Sequence, residues 1–172
     1  MIINASPIII LTKINQLEIL KKTYGSIEIA SSVYQEVVVN GLRIDSRDAH
    51  IVKEQIDSKN IDVWELRLEF AEKAKKIESI YGIDIGEAET IALALQLNKK
   101  GVIIDEISAR EAAKAFGIKP IGTLRVLLIA YKDGLLKKAE IKELISEMEN
   151  SKYRFSPKVL IEFWDLLEKV KK

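Results

Sequence analysis

Cysteine is absent from the 172 residues. That excludes disulfides, thiolate metal sites and thiol catalysis. Histidine occurs once, as His50 in a charged stretch, and reads as a surface residue. No glycine-rich phosphate loop is present, which argues against a nucleotide-binding Rossmann domain. No run is long and apolar enough to span a bilayer, and the N-terminus lacks the basic start of a signal peptide. The expectation is a soluble cytoplasmic protein. Neither sign of charge is in real excess: 27 Lys and Arg stand against 26 Asp and Glu, a net charge of +1. A strongly basic grip on a polyanion is therefore not indicated, although acids gathered at one place would hide lysines elsewhere in the sum.

What the chain does contain is a series of short apolar runs alternating with helical patterns. Val102-Ile103-Ile104 is an unbroken apolar run leading into Asp105-Glu106, the signature of a buried parallel strand with two carboxylates at its end. Met1 to Asn4, Ile27 to Ala30, Ile61 to Trp64 and Ile118 to Ile121 read as the other strands. The fold class is α/β, with helices on both faces of a central parallel sheet of four to five strands. One domain over residues 1–172 is expected, closed by a helical pair at about 135–172 that could pack on the body or present a partner surface.

Punctuation marks set the expected helix ends. Asn15 looks like a cap with Glu18 reaching back, and Ser31 and Ser32 look like caps for a helix from Val33 to Val39 that stops at Asn40-Gly41. Ser46 is the expected cap of the next helix. Ser108-Ala109-Arg110-Glu111 has capping-box spacing, and Ser156-Pro157 opens the final helix. A charged helix is expected over about Leu66 to Ile80, with Phe70, Ala74, Ile77 and Tyr81 inward. After the break at Gly82 to Gly86, Glu87 opens a helix in which Ala88, Ile91, Ala92 and Leu95 match the i, i+3, i+4, i+7 template.

The chemistry lies in Glu36, Glu87, Glu89, Asp105 and Glu106. Right-handed parallel connections would bring these acids toward Asn4 and Ser6 at one edge of the sheet. Clustered carboxylates repel one another and then hold protons or a cation. With no His or Cys beside them, an oxygen-only site favours Mg²⁺ or Mn²⁺, and such an ion can activate a water for attack on a phosphodiester. Each acid also has a plainer role. Glu87 fits a first-turn acid stabilised by the helix dipole, and Asp105 could cap the following helix. Glu89 falls well round the helix from Glu87 at ~3.6 residues per turn, which suits a solvent-facing position or one behind the ligands. Glu36 is flanked by Val37 and Val38, where a lone acid close to a core is costly.

The segments Ile3-Asn4-Ala5-Ser6-Pro7-Ile8, Val33-Tyr34-Gln35-Glu36-Val37 and Gly86-Glu87-Ala88-Glu89-Thr90-Ile91-Ala92-Leu93-Ala94 form an ordered set with two more. These are Ile103-Ile104-Asp105-Glu106-Ile107-Ser108-Ala109-Arg110 and Ile121-Gly122-Thr123-Leu124. In this order the sequence resembles PIN-domain proteins, the ribonuclease superfamily that includes VapC-type toxins. It looks most like a branch of nucleic-acid-binding PIN proteins with Asn at the first acidic position. The resemblance implies a three-layer α/β/α fold, with Asn4, Glu36, Glu87 and either Asp105 or Glu106 as metal ligands. Ser6, Glu89 and Thr123 would stand as polar groups behind them. It also implies Mg²⁺ or Mn²⁺ as cofactor, RNA as substrate, a homodimer and an antitoxin protein as partner. An Asn4 oxygen can ligate a hard cation but brings no charge.

Two functions follow from the resemblance. One is a Mg/Mn-dependent endoribonuclease in which Glu36, Glu87, Asp105 and Glu106 do the catalytic work, with the toxin of a toxin–antitoxin pair as one form it could take. The other is a catalytically weak or inactive PIN scaffold that binds RNA or a protein partner, for which Asn4 is the main support. A phosphate-receiving domain on a flavodoxin-like sheet is the third reading. It lacks a convincing acceptor Asp, because Asp62 lies inside its strand.

Overall fold

A computed structural model describes residues 1–170. Its strands are β1 (Ile2–Ile3), β2 (Ile27–Ala30), β3 (Ile61–Trp64), β4 (Gly101–Ile103) and β5 (Lys119–Ile121). They form one five-stranded sheet in the order β3-β2-β1-β4-β5, and every pairing is parallel. The helices are α1 (Ala5–Lys13), α2 (Glu18–Tyr24), α3 (Ser31–Tyr34), α4 (Gly41–Arg43), α5 (Arg47–Asp57), α6 (Leu68–Tyr81), α7 (Ile85–Gln96), α8 (Ile107–Ala115), α9 (Thr123–Lys132), α10 (Lys138–Asn150) and α11 (Pro157–Lys169). They cover the sheet in a three-layer α/β/α arrangement, as the alternation of strands and helices leads one to expect. Residues 171–172 of the expected C-terminal pair lie outside the described residues.

The chain lays β1, β2 and β3 outward to one side, then returns to place β4 on the other flank of β1 and β5 beyond it. Such a reversal opens a crevice outside the carboxyl ends of the two strands that flank it. Asn4 leaves β1 at that point, and Ile104-Asp105-Glu106 leaves β4. The register Ile2↔Val102 and Ile3↔Ile103 holds both exits level. Ile2, Ile3, Ile29, Val102 and Ile103 are fully buried, so the apolar runs become strands covered on both faces. Helix α7 packs on β1, β2 and β4. Its run from Gly86 to Ala94, apart from Glu89, is buried, and its small alanines let its backbone approach the sheet.

Several helix ends differ from the sequence reading. Ser31 and Ser32 lie inside α3, whose N-cap is Ala30 with extended backbone, and neither serine caps. The helix does not stop at Asn40-Gly41. It passes through a π-helical segment, Gln35–Asn40, and continues as α4 to Arg43. Gly41 has helical backbone, and a Cβ there would lie 2.6 Å from Ala49 Cβ of α5. This glycine therefore permits a close helix crossing and does not end a helix. Asn15 is a left-handed turn residue (φ 54°) after α1, not a cap. Helix α8 begins before Ser108, with Glu106 as its N-cap, so the expected box is not formed. Ser46 occupies its N-cap position without a side-chain bond, whereas Ser156 Oγ does accept from Val159 N.

Candidate metal centre

The acids are placed by helix starts. Helix α7 opens with a complete capping box: Asp84 Oδ1 accepts from Glu87 N at 2.8 Å, and Glu87 Oε2 accepts from Asp84 N at 3.2 Å. Asp84 is a site residue that the sequence reading passed over as part of a break. Its signal was the spacing Asp84-x-x-Glu87, an acidic cap followed three residues later by Glu. Two residues past the cap comes Gly86. A Cβ on Gly86 would sit 3.3 Å from Asp84 Oδ1, 3.6 Å from Glu36 Oε2 and 4.0 Å from Asn4 Oδ1. Oxygens from α7, the π-helical segment and the end of β1 thus surround a space that glycine leaves open. A π-helical stretch inside an α-helix is often found at a functional site, and here it carries Glu36.

Asn4 is buried, and its Oδ1 accepts from Thr90 Oγ1 at 3.3 Å. The one Thr90 hydroxyl hydrogen is shared with Gly86 O, the nearer acceptor at 2.8 Å. Glu87 is 6% exposed. Burial pushes its carboxyl up to about 7, and the charges of Asp84, Glu106 and Glu36 add to the rise. Partial burial also raises Glu36, with Asp84 second. Glu36 is nevertheless exposed as a residue, so the sequence argument from an acid near the core does not apply. It stands at the open side of the cluster.

The buried Glu28 of β2 shows what a compensated acid looks like. It is held by Lys99 Nζ at 2.7 Å and by the N-terminal ammonium at 2.5 Å. Burial alone would raise its pKa, but these donors and Ser26 bring it below the ordinary range. Among the described residues, Glu36, Asp84, Glu87, Asp105 and Glu106 take part in no salt bridge. The charges felt at Glu36 and Glu87 are all negative, whereas the Arg110 guanidinium comes close to Asp105 at Gly122.

The remaining expected residues divide. Glu106 is exposed at the α8 N-cap, and its charge is felt at Glu87. Asp105 is turned the other way: Thr123 N donates to its Oδ1 at 2.7 Å, while Thr123 Oγ1 at 2.5 Å and the Tyr153 hydroxyl donate to its Oδ2. It does not cap α8, and it is the N-terminus of α9 that receives its carboxylate. Thr123 is thus at the edge, as expected, but bonded to Asp105. Ser6 is exposed with no side-chain hydrogen bond among the described residues, and Glu89 is half-buried on the other side of α7. Nothing in the sequence pattern pointed to Thr90 or Tyr153.

The donor set is all oxygen, carries several carboxylates and includes an open space above Gly86, which fits a hard divalent cation. Among the described residues no group of three or more His, Cys, Asp or Glu side chains is placed to hold a metal ion by itself. The Asn4 amide oxygen and water would have to share the coordination.

Fold and site together define a parallel α/β domain that concentrates carboxylates at the reversal point of its sheet. The chain belongs to the PIN-domain family, which matches it over residues 1–169. PIN domains as a family are nuclease-type: they bind nucleic acids and use divalent metal ions. No curated protein matches the chain. No described helix is long and apolar enough to cross a membrane.

Proposed function

We propose that this protein is a Mg²⁺- or Mn²⁺-dependent endoribonuclease of the PIN type. The observation that carries the reading is the convergence of Asn4 Oδ1, Glu36 Oε2 and Asp84 Oδ1 around Gly86, next to Glu87. Glu36, Asp84 and Asn4 would hold the metal, with Glu87 and Glu106 beside it. When bound, the ion would supply an activated water and neutralise charge developing on the phosphodiester. The capping box fixes Asp84 and Glu87 on a helix start, so their geometry is set before metal or substrate arrives. Glu87 can hold a proton near neutral pH in the apo site. Asp84 supplies charge that Asn4 lacks at the end of β1. Of the pair left open by sequence, Glu106 supports the metal reading better, because Asp105 is engaged by Thr123 and Tyr153. Asp105 would then support the edge without being a ligand.

The same reading carries a toxin-like protein of the VapC kind, paired with an antitoxin, homodimeric, cytoplasmic and built as one domain. The test is cleavage of single-stranded RNA by the purified chain with Mn²⁺ or EDTA, alongside Glu36→Gln and Asp84→Asn. Cleavage lost with EDTA and in both variants is expected. Full activity in either variant would overturn the assignment. The second reading, a PIN scaffold that binds RNA without cutting it, draws on Asn4 being neutral and already bonded to Thr90. RNA binding indifferent to EDTA, with no cleavage, would favour it.

A further inference from the structure

The C-terminal helices α10 and α11 pack on α9, and the segment joining them, residues 151–156, reaches back to the acid edge. Tyr153 lies on that segment, half-buried, its ring edge-on to Phe155 at 5.3 Å between centroids. Its hydroxyl donates to Asp105 Oδ2, beside the bond from Thr123 Oγ1, while Thr123 N holds Oδ1. All three donors are neutral. Together they keep a carboxylate at the end of β4 facing the start of α9 and not the space above Gly86. The close fit extends to Gly122, where a Cβ would lie 3.0 Å from Asp105 Oδ1 and 2.6 Å from Arg110 Nη1.

We propose that Tyr153 is a positioning residue: it ties the C-terminal helical pair to Asp105 and holds that acid out of the cation site, so the docking of the pair sets how many charges the site presents. This rests on the metal reading above. Loss of the hydroxyl frees one side of the Asp105 carboxylate and lets it turn toward the cluster, where an added negative charge strengthens cation binding.

The experiment is a double-mutant cycle on the full chain with Tyr153→Phe, Asp105→Asn and both together. Two readouts are used: Mn²⁺ affinity by titration of free Mn²⁺, and Tm in EDTA. Tyr153→Phe is expected to tighten Mn²⁺ binding on the order of 10-fold, a change of ~1.4 kcal/mol, and to do so only when Asp105 is present. The Tm losses of the single variants should overlap in the double variant and not add. An unchanged or weaker Kd in Tyr153→Phe, or the same change in the Asp105→Asn background, would overturn the proposal, as would additive Tm losses. If the parent chain binds no Mn²⁺, the metal reading falls. The Tm cycle then decides by itself whether Tyr153 anchors Asp105.

Discussion

Replacing Glu87 by Gln should make the apo protein more stable at pH 8 and remove most of its pH sensitivity above pH 5. Glu87 is buried among acids, and its pKa in the fold is about 7 against an ordinary 4.5. Between those values the folded chain keeps a proton on Glu87 that the unfolded chain has released. The folded state therefore binds more protons, and stability falls as pH rises through this window, with the loss complete above pH 7. At ~1.4 kcal/mol per pH unit the whole effect is about 3 kcal/mol. Solvent reaching Asp84 and Glu36 screens it to about 1–2 kcal/mol. At ~2–4 °C per kcal/mol for a chain of this size, that is about 2–8 °C in Tm. Gln can still accept the Asp84 N–H at the third helical position, so the cap survives. The assay is thermal unfolding by circular dichroism from pH 5 to 8 in EDTA, parent against variant. The parent should lose Tm across the range, and the variant should lose clearly less, with Glu36 accounting for a residue of the slope. Saturating Mn²⁺ at pH 8 should restore the parent by RT ln(1 + [L]/Kd) and leave the variant less affected. A parent curve that is flat from pH 5 to 8, or a variant that declines in parallel with it, would refute the account of Glu87.

Other substitutions separate fold from site. Gly86→Ala places a methyl group 3.3 Å from Asp84 Oδ1 and 3.6 Å from Glu36 Oε2, so Mn²⁺ affinity by calorimetry should fall about 10-fold or more. Tm in EDTA should change by little, since alanine suits a helix. Gly41→Ala, with its Cβ 2.6 Å from that of Ala49, should cost about 1–3 kcal/mol by overpacking. Ala49→Gly in the same chain should recover part of the loss in urea unfolding. Asp84→Asn keeps an acceptor for the Glu87 N–H, so Tm should stay within a few degrees while Mn²⁺-dependent RNA cleavage is lost. Retained cleavage would leave Asp84 as a cap alone.

Sheet and helices were readable because their signals are local and periodic. Ile27 to Ala30 and Ile61 to Trp64 are strands to the residue, and Ala88, Ile91 and Ala92 of the expected stripe are buried on α7. Errors arose where one residue type serves two purposes. Gly41 has the identity of a helix stop, but it is there because Ala49 of another helix comes close, a fact no local window contains. Ser31, Ser32 and Ser108 have cap chemistry, but the preceding residues already adopt the extended geometry that a cap needs. Most of the candidate acids reach one edge of the sheet. Their partition was not readable: whether Asp105 or Glu106 faces the cluster depends on Thr123 and on Tyr153, 48 residues away. Asp84 is legible in its spacing to Glu87, but Gly82 and Gly86 around it carry the stronger local signal of a break.

Helix ends support the carboxylates gathered at this edge. Asp84 is the N-cap of α7 and Glu87 its third residue. Glu106 is the N-cap of α8, and Asp105 accepts the first N–H of α9. Four of the acids thus stand at the positive ends of three helices, each such placement worth about 0.3–1 kcal/mol. That support gives each of the four a structural reason to be where it is. Glu36 is different. It lies within a helix, in a π-helical segment that departs from ordinary α geometry, with no N-terminal dipole to favour it and a carboxyl that burial and Asp84 hold above its ordinary range. The fold gains nothing visible from a charge there. An acid with no structural return, aimed at the same open space as Asp84 and Asn4, is the strongest reason to read this edge as a metal centre and not as a row of capped helices.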